Sequence, residues 1–123
     1  MATNRKLRWL DAPTDGNYAA ALSYLRLSFP TKRAKLAVKR LTRGSTAQFK
    51  AKDIFRASGL SLLGVSNGHV ERDLKKIRSG KPLAPLLLIR MPELAKVIVA
   101  DGYHRLCAIY SLDEDAVILC KIA

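Results

Sequence analysis

The stretch VIVADGYHRLCAIY, residues 97 to 110, places an apolar, β-branched run directly before Asp101-Gly102 and a helical pattern directly after it. A buried strand that turns at once into a helix belongs to a mixed α/β chain, because helices must then cover the sheet. Such a junction aims the first backbone N–H groups of the helix at the space above the strand end. Gly102 allows close approach to the main chain, and Asp101 is expected as the N-cap. His104 and Arg105 follow in the first helical turn, where positive side chains oppose the helix dipole by roughly 0.3–1 kcal/mol each. A phosphate seated there would satisfy the N–H groups, the imidazole and the guanidinium together. An ion pair between Asp101 and Arg105, four residues apart, would account for the same residues without any ligand.

Outward from this junction, Leu86–Arg90 and Val97–Ala100 read as buried strands joined by the turn MPELAK, and Val117–Ile122 as a third. Upstream, SNGHVERDLKKIRSG is a well-marked helix. Asn67 or Gly68 caps it, Val70, Leu74 and Ile77 form its apolar stripe, and Gly80 ends it. His69, Arg72 and Lys76 fall at i, i+3 and i+7 on the opposite side. TAQFKA, from Thr46, is a short strand, and DIFRASG reads as a single helical turn or loop ended by Gly59. Farther back, Tyr18, Leu22, Leu25 and Phe29 recur at helical spacing from Asp15 or Asn17 until Pro30. A second helix runs from Thr31 to about Leu41 with Ala34, Ala37, Val38 and Leu41 inward and Gly44 as its stop. Lys32, Arg33, Lys35, Lys39, Arg40 and Arg43 occupy the remainder of that segment. Trp9 and the Tyr18/Tyr24 pair offer rings for base stacking, but Tyr18 and Tyr24, six positions apart on one helix, read as packing residues.

The chain has 123 residues, 49% apolar, and a net charge of +12. That suits one domain with a real core and excludes a disordered tail or a multidomain enzyme. Residues 1–43 hold ten bases and two acids, a balance of +8, against +4 for residues 44–123. The organisation expected is a basic mobile arm over 1–13, a helical extension over 14–45 and an α/β unit over 46–123. The extension's cations predict contact with nucleic acid or an acidic partner. No stretch approaches the roughly 18 apolar residues of a membrane span, and no apolar signal core follows the first cations, so a cytoplasmic protein without membrane contact is expected. Cys107 and Cys120 lie in apolar segments and read as buried thiols. His69 and His104 suggest no metal site.

With the motif Gly102-Tyr103-His104-Arg105 at a strand-to-helix junction, the sequence over about 46–123 resembles the ParB/sulfiredoxin-like fold, whose members bind nucleotide phosphates with a Gly-x-x-Arg or Gly-x-His-Arg motif. The resemblance implies a mixed sheet with helices. It implies phosphate contacts from Gly102, Tyr103, His104 and Arg105, from Arg56 after the first strand, and from His69, Arg72 and Lys76. It excludes sulfinic reductase chemistry, since Tyr103 stands where the nucleophilic cysteine would be. It also supplies no catalytic glutamate, because Phe55 to Val70 contains no carboxylate; Asp53 and Glu71 flank that gap.

Two functional classes follow. The first is a binding or regulatory module for a phosphate or nucleotide. The alternative is a small nucleotide-dependent phosphotransferase, NTPase or nuclease using a nucleoside triphosphate with Mg²⁺. Asp101 would then be a catalytic or metal-binding group, with His104 and Arg105 stabilising phosphoryl charge.

Overall fold

The computed structural model describes residues 7–64 and 67–123. Five helices and a four-stranded mixed sheet form a three-layer α/β arrangement, with two helices preceding the first strand. The strands are β1 (Thr46–Lys50), β2 (Leu86–Met91), β3 (Lys96–Asp101) and β4 (Val117–Ile122), in the spatial order β1-β4-β2-β3. β4 and β2 are parallel at the centre, and each pairs antiparallel with an edge strand.

Helices α1 (Asp15–Ser28) and α2 (Thr31–Arg43) cover one face of this sheet. Thr14 and Asn17 close a capping box at the start of α1, and Pro30 separates the two helices. Ala21 and Leu25 of α1 and Ala34 and Leu41 of α2 pack on Leu87, Ile89 and Ala100 of the sheet. The segment read as an extension thus supplies one of the sheet's two covering layers. Tyr24, read as a packing residue, is instead exposed, whereas Tyr18 and Trp9 pack against the two cores.

The other face carries α3 (Ala51–Ser58), α4 (Gly68–Arg78) and α5 (Tyr103–Leu112). Leu86, Leu88, Val99, Ile118 and Cys120 of the sheet meet Ile54, Val70, Leu74, Ile77, Leu106 and Cys107 there. The stretch read as a single turn or loop is therefore an eight-residue helix. Burial of Ala51 and Ile54, and the hydrogen bond from Ala51 N–H to Ala116 O at 2.9 Å, anchor it before Gly59 ends it at φ 68°. Long-range packing here outweighs a weak local pattern.

The expected mobile arm is corrected over its later part. Leu10 N–H donates to Leu83 O, and Leu83 N–H donates to Arg8 O, both at 2.8 Å, with Trp9 bridged to Leu83 in parallel. Residues 1–6 lie outside the described residues. Among the described residues, no helix is long and apolar enough to cross a membrane.

Candidate phosphate-binding cleft

β3 ends one residue before α5 begins, and Gly102 makes the turn at φ 108°. A side chain could not be placed there: a Cβ would stand 2.6 Å from Leu86 Cγ and 2.9 Å from Arg105 Nη2. Just before the turn, Leu87 pairs with Asp101 while Leu88 pairs with Val99, leaving Ala100 as an extra residue on β3. This bulge re-aims the end of the strand next to the cleft.

The expected N-cap role of Asp101 is overturned. Gly102 occupies the cap position and no side chain caps α5. The Asp101 carboxylate instead accepts a hydrogen bond from Arg105 Nη2 at 2.9 Å, and each side chain is only 15% exposed. Arg105 Nη2 also reaches Pro85 O at 3.4 Å, while Arg105 Nε is buried without a hydrogen-bond partner. At four positions apart, pairing satisfies both charges where a cap would leave the guanidinium beside no anion.

Above this pair lies a polar cleft of about 190 Å³ between α4 and the start of α5. His69, Arg72 and Lys76 line it from α4; Asp101, Gly102, Tyr103, His104 and Arg105 line it from the junction. The side-chain oxygen of Asn67 accepts from the N–H groups of His69 and Val70, which fixes where α4 starts and hence the rotation of its cationic face. The rings of His69 and His104 sit 4.7 Å apart, tilted by 37°. Burial, then the charge of neighbouring His69, pushes the His104 pKa below its ordinary 6.5, with Asp73 opposing. Tyr103 packs partly buried at the cleft's edge, where its hydroxyl donates to Ser61 O. Its pKa is raised, chiefly by burial.

Asp73 is a lining residue that the sequence reading missed. It follows His69 by four positions and precedes Lys76 by three, so helical spacing puts it on the same face. Burial raises its pKa above the ordinary carboxylate value, against the opposing charges of Arg105, Lys76, His104 and Arg72.

Arg56 is not brought to the cleft. It lies on α3 with its side chain 83% exposed, and its guanidinium faces Asp53 at 3.7 Å. Glu71 pairs with Lys75 at 3.5 Å and also stays outside. Both cysteines are buried free thiols, and Cys107 accepts from Leu63 N–H at 3.5 Å. Burial pushes the Cys107 thiol up and that of Cys120 to about 11, so neither is poised as a thiolate. No cluster of metal-ligating side chains occurs among the described residues.

The cations of α2 form a separate surface. Lys32, Arg33, Lys35 and Lys39 flank one shallow groove with Leu36, and Arg33 and Arg40 border another beside Ile89 and Met91. Arg43 is exposed in the last turn. No known protein family, curated protein or solved structure matches the chain.

Proposed function

We propose that this chain is a ParB/sulfiredoxin-like phosphate-binding module whose cleft takes the phosphoryl end of a nucleotide or a free phosphate, in a cytoplasmic setting. The observation that carries the reading is the convergence of His69, Arg72 and Lys76 with the Gly102–Arg105 turn on one small polar cleft. Its volume of about 190 Å³ lies below the ~300–1,000 Å³ usual for whole small-molecule ligands. The base and sugar of a nucleotide would therefore remain outside. In this reading Arg72 and Lys76 supply mobile charge, and the uncapped first turn of α5 supplies N–H donors. Arg105 acts through its buried pair with Asp101 and holds the turn in shape. The basic face of α2 is the contact for nucleic acid.

A second reading, a nucleotide-dependent enzyme with bound Mg²⁺, is favoured by Asp73. A half-buried carboxyl with a raised pKa, beside two histidines, is what a general base requires. One experiment addresses both readings. Calorimetric titration with inorganic pyrophosphate and with ATP–Mg²⁺ is expected to give similar affinities, since only phosphoryl groups enter. Arg72→Gln combined with Lys76→Gln should weaken both by about tenfold or more, through loss of charge-assisted contacts. Unchanged affinity in that variant overturns the module. Product formation from ATP that disappears in Asp73→Asn while binding persists establishes the enzyme instead.

A further inference from the structure

A larger cavity, of about 360 Å³, opens at the opposite end of the same sheet face. Its floor is apolar: Phe49, Ile54, Leu88, Val97 and Ile122 come from all four strands and α3. Its polar groups are Asp53, Arg90 and Lys96.

Arg90 is the informative residue. Leu86 and Leu88 alternate toward the α3–α5 core, and Arg90 takes the next position on that side of a central strand. At this strand end the row leaves the core, and Arg90 is exposed at the cavity rim. Among the described residues, neither Arg90 nor Lys96 forms an ion pair or a side-chain hydrogen bond. The only acid lining the cavity, Asp53, is engaged with Arg56 at 3.7 Å. The cavity thus combines an apolar floor with two exposed cations at its rim that no described acid pairs.

We propose that this cavity binds a medium-chain aliphatic carboxylate, with the acyl chain on Leu88, Val97 and Ile54 and the carboxylate held by Arg90 and Lys96. The volume accommodates on the order of a dozen groups the size of a water molecule, at about 30 Å³ each, which matches a chain of eight to ten carbons in size. A planar guanidinium can hold a carboxylate through two parallel hydrogen bonds, and Lys96 adds a second charge. A neutral ligand would gain nothing from the two cations, and a short acid would leave the apolar floor wet.

Sodium decanoate, kept below its micelle concentration, is the probe for an NMR titration of the isotope-labelled chain. Saturable shifts are expected at the amides of Ile54, Ala57, Leu88 and Val97, with no comparable shifts at His104 or Lys35. Butyrate and decanol should each bind about tenfold more weakly or worse, since each lacks one half of the recognition. Arg90→Gln should weaken decanoate by about tenfold. Ala57→Trp, which places a large ring on the cavity wall, should abolish the shifts. Should that variant fold poorly, Lys96→Gln carries the same test, because its parent side chain is exposed. Absence of saturable shifts at the cavity, or affinity indifferent to Arg90→Gln and Lys96→Gln, overturns the proposal.

Discussion

The cations of α2 and those of the cleft differ in what surrounds them. α2 carries six lysines and arginines, no acid and no ion pair to another described residue, and all six are exposed. Arg33 rests over the Phe29 ring at 4.7 Å, and the others extend into solvent. The cleft has fewer cations, yet its Arg105 is largely shielded against Asp101, its Asp73 is half-buried, and its two histidines touch. Where charge is densest it is also most hydrated and least oriented, which suits a long polyanion read through its field. Where charge is sparse it is held in place, which suits one anionic group. Net charge alone would have ranked the two surfaces the wrong way for specificity.

The comparison breaks most readily at Arg105. Arg105→Ala should leave the Asp101 carboxylate in a low-dielectric site without its partner, at a cost of about 3 kcal/mol in urea denaturation. Adding Asp101→Ala should recover much of that loss, since the stranded charge goes with its partner. An Arg105→Ala chain as stable as the parent would mean that the pair is solvated and the cleft no more organised than α2.

The same contrast explains what could be read ahead of the structure. The Val97–Tyr110 junction and the stripe Val70, Leu74, Ile77 follow from periodicity and a glycine, so the strand, the turn, both helices and the cleft's cationic wall were legible. Asp73 sits on that wall by the same spacing, but a lone acid among helix cations carries no sequence signal that separates a cleft-lining carboxylate from an ordinary i,i+3 partner of Lys76. Asp101 was ambiguous in principle: cap and i,i+4 partner need the same short carboxylate, and burial of Arg105 decides between them. Arg56 depended on the length and direction of α3, which long-range contacts of Ala51 and Ile54 set. The extra residue at Ala100 has no local signal, because a bulge is a property of two strands together.

A smaller effect is expected from pH, and it should appear in the cleft alone. His104 is held below its ordinary 6.5 by burial and by His69, so protonating it is easier when an anion is bound. Sulfate, which does not titrate in this range, should therefore bind more tightly as the pH falls below neutrality. A gain of about tenfold corresponds to about 1.4 kcal/mol. Neutralisation of Asp73 acts in the same direction at the acid end, since its raised pKa makes it lose charge earlier than an ordinary carboxylate. Fold stability should move the other way. The unfolded chain takes up the His104 proton first, so stability is lost as the pH drops from about 6.5 toward the depressed folded value. His104→Asn should flatten the sulfate profile and remove that part of the stability loss. A profile unchanged by the substitution would assign the pH response to Asp73.

The smallest effect on the fold is expected at α2, and its smallness is the point. Lys35 and Lys39 are exposed and unpaired, so Lys35→Glu with Lys39→Glu should alter stability by no more than about 0.5 kcal/mol. Binding to duplex DNA should nevertheless weaken, and the slope of log affinity against log salt should fall by about 2, close to one unit for each phosphate that is no longer neutralised. Pyrophosphate binding in the cleft should be untouched at moderate ionic strength, because the Debye length of about 8 Å isolates one surface from the other. If the double reversal leaves the salt slope as it was, α2 is a solvated helix face rather than a polyanion contact. If it weakens pyrophosphate as well, the two surfaces act as one field, and the distinction between diffuse and oriented charge fails for this protein.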